Sequence, residues 1–219
     1  MVLFNPDKDI PDLSGKIILV TGGNISLGKQ TILQLSKHNP AYIFLAARIE
    51  SKALAAIEDI YKAILDAAPI IYLNLNLISF NTTLASTIKE GYEIQFGINY
   101  VGYALLMKIL LPTLKKTAAA TTPPQNVCII NLSSSFKNKA PATNTYKFDK
   151  LKIDMASTPT FVRYGISKIA NIHHARALSR RHLEIRSIAV HPGVVNTNLT
   201  NGPAATGVFS TNVWNGTKN

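Results

Sequence analysis

TGGNISLGK, Thr21 to Lys29, decides how the chain is read. It follows the apolar run KIILVT (Lys16–Thr21) and leads into QTILQLSKH. A glycine-rich turn between a strand and a helix is where α/β proteins hold phosphates, because the helix N-terminus offers unpaired N–H groups and the positive end of a dipole. Gly22 permits the tight turn and Gly28 permits close helix packing. Asn24, Ser26 and Leu27 share the loop and are candidate cofactor contacts. Ser26 stands where a glycine is expected. A serine is tolerated there if φ stays negative; a positive φ costs about 1–2 kcal/mol.

The flanking segments alternate between strand and helix patterns. KIILVT is a buried strand, Leu27–His38 a helix closed by Asn39-Pro40, and AYIFLAA (Ala41–Ala47) a second strand. Ser51 is a candidate cap for a helix with Leu54, Ile57, Tyr61 and Ile64 on one face. IIYLNL (Ile70–Leu75) is a third strand. Further on come a helix over Ile98–Leu114 ending near Pro112, a strand over Asn126–Leu132, irregular chain from Phe136 to Phe161, a helix over Tyr164–Arg181, and a strand over Ile185–His191. Alternation of this kind means βαβ units and a parallel sheet.

At 219 residues, with 47% hydrophobic and 16% charged residues, the chain reads as one globular domain and not as a disordered one. Its formal charge of +11 is spread along the chain without a DNA- or RNA-binding motif, so no nucleic-acid partner is expected. Cys128 is the single cysteine and is read as a small buried hydrophobe. The N-terminus carries no apolar signal core and no segment approaches the length of a membrane span, so a soluble cytoplasmic protein is expected. No metal is expected.

Two further segments carry chemistry. Where an acid would hold the ribose 2′-hydroxyl of NAD, the end of the second strand has Arg48, which suits the 2′-phosphate of NADP; NAD fits less well. In YGISK, Tyr164 and Lys168 are spaced i, i+4 and share one helix face. An ammonium beside a phenol lowers its pKa from about 10 toward the working pH, which makes Tyr164 a general acid or base.

These residues carry a resemblance. TGGNISLG, FGINYVG, INLSSS, YGISK and HPGVVNT occur in the order of the short-chain dehydrogenase/reductase family, from about Gly15 to Leu199, and resemble most its retinol dehydrogenase and fungal oxidoreductase branch. The resemblance implies a Rossmann-like doubly wound parallel sheet flanked by helices, in a single NAD(P)-binding domain over residues 1–219. Residues 1–14 are then an extension and 200–219 an irregular tail. It implies interconversion of an alcohol and a carbonyl on a small-molecule substrate. Tyr164 would move the proton, Lys168 would lower its pKa and bind the nicotinamide ribose, Ser134 would polarise the carbonyl, with Ser133 and Ser135 as fallback candidates, and Asn99 would position a relay water. Pro192, Gly193, Val195 and Thr197 match the turn beside the nicotinamide.

The chain departs from the family in four places. Ser26 replaces the middle glycine, and Asn76 replaces the acid that holds the adenine amino group. Between Phe80 and Tyr92 about 25–30 residues are missing, a helix and the fourth strand of the usual sheet. The last edge strand is also not encoded, and the usual dimer face is incomplete, although an oligomer is compatible with the chain. The strand Asn126–Leu132 is expected to move in and pair with Lys16–Thr21, since unpaired buried backbone groups cost about 1–3 kcal/mol each. The alternative to an enzyme is a non-catalytic nucleotide-binding or interaction remnant.

Overall fold

The computed structural model describes residues 4–75, 85–120 and 126–193, and its strands follow the apolar runs of the sequence. The chain divides into two compact units, residues 1–78 and 79–219.

In the first unit β1 (Ile17–Thr21), β2 (Tyr42–Ala47) and β3 (Ile70–Asn74) form a parallel sheet in that order. Val20 faces Leu45 in one ladder and Leu45 faces Tyr72 in the next. Helix α1 (Ser26–Leu35) joins β1 to β2, and α2 (Glu50–Ala63) joins β2 to β3. Alternate strand residues make the core: Ile43, Leu45 and Ile70 pack with Ile32, Ala53, Ile57 and Ile60. A 3₁₀ turn over Ser36–His38 extends α1, and Asn39 at φ 58° stops it. The opposite face of the sheet exposes Ile17, Tyr42, Ile71 and Leu73.

The face of α2 differs from the sequence reading. Ile49 occupies the cap position without a side-chain cap bond, and Ser51 lies inside the helix. The helix therefore starts three residues after β2 ends, which turns Ala53, Ala56, Ile57 and Ile60 inward. Two alanines let the helix lie close to the sheet, while Leu54 and Tyr61 are exposed. The Tyr61 hydroxyl accepts the Ile70 N–H at 2.8 Å.

In the second unit the helix α3 runs over Ile94–Ala120 and contains a π turn at Gly97–Val101. It continues past Pro112, where the sequence reads an end. The following LKKTAAA is rich in strong helix formers, which offsets the backbone bond that proline removes. At 27 residues α3 is long and apolar enough to cross a membrane by length and composition. Core helices pass the same measure, so this is weak ground for a span. Strand β4 (Cys128–Leu132), helix α4 (Thr160–Arg181) and strand β5 (Arg186–Val190) form a parallel βαβ unit, with Ile130 opposite Ile188. Val127, Ile129, Ile185 and Ala118 pack on its inner face. Its other face exposes Ile130, Leu132, Ile188 and Val190. Cys128 is exposed on that face and not buried, because residues of a strand alternate sides and only one side of this pair is covered among the described residues.

One expectation is overturned. Among the described residues β1 is laddered only to β2, and β4 only to β5. Each strand takes the neighbour that its own crossover helix delivers, and the expected pairing of Asn126–Leu132 with Lys16–Thr21 is not among these ladders. The sheet is incomplete, as the short link after β3 implies.

Candidate active site

The glycine loop sits at the C-terminal end of β1. Gly22 has φ 65°, a left-handed conformation that glycine adopts without strain, and its N–H donates to the Ala46 carbonyl at 2.8 Å. Gly28 opens toward Gly22: a Cβ there would collide with the Gly22 carbonyl oxygen and lie 2.8 Å from its carbon. Gly23, not singled out in the sequence, is as tightly held; a Cβ would lie 2.6 Å from Ile32 Cδ1 and 2.8 Å from Leu45 Cγ. The doubled glycine of TGG is the signal that marks it. Asn24 is half-buried in the loop, and Leu27 is half-buried in the first turn of α1. Ser26 has φ 45°, so the costlier of the two cases applies, about 1–2 kcal/mol for a side chain in the left-handed region. Arg48 is exposed directly beyond β2. Asn76, Val195 and Thr197 lie outside the described residues; Pro192 is exposed and Gly193 has φ 79°.

The second unit gathers Asn99, Ser134, Tyr164 and Lys168 through α3, the end of β4 and α4. Asn99 lies within the π turn and is buried. Such turns, which insert one residue into a helix, recur at functional positions. Asn99 Nδ2 donates to Ser167 Oγ at 3.0 Å, and Ser167 Oγ donates to the Tyr164 carbonyl at 2.7 Å. Ser134 lies two residues beyond β4 and caps the 3₁₀ turn Ser135–Lys139, accepting the Phe136 N–H at 3.3 Å. The Ser134 hydroxyl favours the ionised form of the Tyr164 phenol. The Tyr164 ring meets Phe136 edge-on, with centroids 6.0 Å apart.

Lys168 Nζ lies 5.3 Å from the centre of the Tyr164 ring and donates to the Leu132 carbonyl at 3.4 Å. Asn171 Nδ2 donates to that same carbonyl at 3.0 Å, and Ser133 Oγ to the Lys168 carbonyl at 2.9 Å. Three bonds thus fix the end of β4 to the face of α4 that carries Tyr164. Gly165 allows the close approach: a Cβ there would lie 2.6 Å from the Phe136 carbonyl. These tethers were not marked by any motif.

The acidities differ from the sequence expectation. Burial raises the Tyr164 phenol above its ordinary value of 10.0, and the Ser134 hydroxyl only partly offsets this. Burial also lowers the Lys168 ammonium to about 8. The phenol is therefore held as a proton donor, beside a lysine that changes charge in the working pH range. A buried, oriented phenol next to a serine hydroxyl is suited to give a proton to an oxygen that is gaining negative charge.

No family model matches the chain. It is 34% identical to an uncharacterized oxidoreductase of Schizosaccharomyces pombe, over 88% of this chain and 64% of that protein. It is 34% identical to a short-chain dehydrogenase/reductase of Armillaria gallica, over 88% of this chain and 69% of that one. Retinol dehydrogenase 13 of Homo sapiens is 32% identical over 85% of this chain and 61% of its own length. A solved short chain dehydrogenase of Shigella flexneri, complexed with NADP, superposes with a TM-score of 0.55 at 17% identity, covering 84% of this chain and 79% of that one. The fold is the Rossmann-like α/β fold of the solved short-chain dehydrogenases, with an incomplete sheet. The chain belongs to the short-chain dehydrogenase/reductase family. It spans less than two thirds of the Schizosaccharomyces pombe relative. Covering 88% of 219 residues is about 193 residues, against 222 aligned positions, so about 29 positions of that relative lack a counterpart here, the size of a helix-plus-strand crossover.

Proposed function

We propose that this protein is an NADP-dependent oxidoreductase that interconverts an alcohol and a carbonyl on a small-molecule substrate, as one dinucleotide-binding domain over residues 1–219. The observation that carries the reading is Lys168 Nζ, 5.3 Å from the centre of the Tyr164 ring on one helix face, with Ser134 favouring the ionised phenol. The residues fit the cofactor: Gly22 and Gly28 leave no side chain at the close approach of the loop, the N-terminus of α1 faces that loop, and Arg48 suits a 2′-phosphate. Asn24, Ser26 and Leu27 would contact the pyrophosphate, Asn76 the adenine, and Pro192, Gly193, Val195 and Thr197 the nicotinamide end.

When bound, NADPH supplies the hydride. Ser134 donates a hydrogen bond to the carbonyl oxygen, and the Tyr164 hydroxyl gives it a proton as negative charge develops. Lys168 stabilises the phenolate that remains and holds the nicotinamide ribose. Asn99, anchored by Ser167, positions the water through which Tyr164 recovers its proton. In the oxidation direction each of these steps reverses.

A second reading, a non-catalytic remnant of such an enzyme, is favoured by two observations: Ser26 at positive φ in the phosphate loop, and the incomplete sheet. Titration of purified protein with NADPH and NADH, followed by thermal midpoint and fluorescence, separates them, since a ligand that binds only the folded state raises its stability. A larger rise with NADPH than with NADH, with turnover on an aldehyde and ketone panel, is expected. A rise without turnover favours the remnant, and no rise at millimolar cofactor rejects the oxidoreductase.

A further inference from the structure

Glu93 and Arg163 form an ion pair whose side chains are only 1% and 2% exposed. Arg163 Nη1 donates to Glu93 Oε1 at 3.0 Å. The second carboxylate oxygen accepts the Phe96 N–H at 2.7 Å and so caps the start of α3. The second guanidinium nitrogen donates to Thr160 Oγ1 at 3.1 Å, in the first turn of α4. One carboxylate therefore closes the helix that carries Asn99, and one guanidinium is tied into the start of the helix that carries Tyr164. Arg163 is the residue directly before Tyr164. Six residues further along α3, the Asn99–Ser167 bond joins the same two helices again.

Stability alone is a poor account of this pair. Each buried charge costs several kcal/mol to desolvate, and well-packed apolar replacements are often at least as stable. What a charged, doubly bonded pair supplies is register, since it has few alternative partners in the interior. We propose that the Glu93–Arg163 pair is a positioning device that sets the first turn of α4 against the start of α3, and so fixes where the Tyr164 ring stands against Phe136, in the turn that Ser134 caps. Its catalytic consequence rests on the reading of Tyr164 as the proton donor; its geometric content does not.

The test uses the full chain carrying Glu93→Gln together with Arg163→Met, which removes both charges and leaves neither unpaired. Ultraviolet titration of tyrosine, differenced against Tyr164→Phe in the same background, isolates the Tyr164 phenol. The double variant is expected to unfold cooperatively while its Tyr164 midpoint moves from that of the unsubstituted protein. Where turnover is measured, kcat falls roughly ten- to a hundredfold, as for a displaced reacting group, with little change in KM for the cofactor. An unchanged Tyr164 midpoint in the folded double variant overturns the proposal. If that variant does not fold, Arg163→Lys keeps the charge but loses the planar two-nitrogen contact; a shifted midpoint supports the proposal and an unchanged one overturns it. Absence of turnover in the unsubstituted protein rejects the oxidoreductase reading, while the titration still decides the role of the pair.

Discussion

Ser167 joins Asn99 to the turn of helix that carries Tyr164: it accepts from Asn99 Nδ2 at 3.0 Å and donates to the Tyr164 carbonyl at 2.7 Å. Both Ser167 and Asn99 are buried, so neither bond is exchangeable with bulk water. Ser167→Ala leaves the Asn99 amide without this acceptor. A loss of about 1–3 kcal/mol in urea unfolding is expected, the cost of an unmet buried polar group. A change below a few tenths of a kcal/mol would show that the Asn99 amide finds another acceptor.

Tyr164→Phe removes the proposed proton donor while keeping the ring that packs on Phe136. Turnover of a carbonyl substrate should fall by about a hundred- to ten-thousandfold, the range of general acid catalysis. The thermal rise given by NADPH should persist in the variant. Loss of both together would mean that the substitution had damaged the fold instead.

Lys168 links stability to pH. Its folded value is about 8 against an ordinary 10.5, so the unfolded chain holds the proton more tightly. Stability relative to Lys168→Met should therefore rise as pH increases from about 8 toward 10.5, and be lowest below 8 where the folded lysine is charged. Tyr164 acts in the opposite sense only at higher pH: its raised value gives stability that is present below 10.0 and lost as pH climbs through the folded value. Denaturant midpoints at pH 7 to 9.5, read as the difference between protein and variant, check the sign.

Ser26→Gly relieves the left-handed φ of 45° at the start of α1, beside the glycine loop. The strain released, about 1–2 kcal/mol, is partly offset by the extra freedom of glycine in the unfolded chain, so a gain of several tenths to about 1 kcal/mol is expected. Gly28→Ala has the opposite sign, because its Cβ would strike the Gly22 carbonyl. Thermal midpoints of the two variants should move in opposite directions.

What could be read without coordinates was local. Tyr164 and Lys168 share a face because helix periodicity dictates it, while the choice of Ser134 among Ser133, Ser134 and Ser135 is what the family resemblance implies. Gly22 and Gly28 follow from the backbone freedom the loop needs. The Asn99–Ser167 bond spans 68 residues of sequence and the Glu93–Arg163 bond spans 70, and no periodicity links their members. Ser26 could be flagged but not resolved, since its cost turns on the sign of one dihedral. Cys128 was misread because an apolar run signals burial on both faces only where a sheet is covered on both. The direction of the Tyr164 shift was misread for a related reason: the charge beside it was visible in the sequence, and the depth of its burial was not.

The half-covered strands have a colloidal consequence. Ile130, Leu132, Ile188 and Val190 present an apolar surface of the kind that drives proteins together, and the formal charge of +11 keeps such molecules apart. Salt shortens the reach of that repulsion from about 30 Å at 0.01 M to about 8 Å at 0.15 M and leaves the apolar attraction in place. Solubility should therefore decline as ionic strength rises, the reverse of simple salting-in, and light scattering in a sodium chloride series measures it. The surplus of lysine and arginine should thus serve as a dispersant for strands whose outer face is exposed among the described residues.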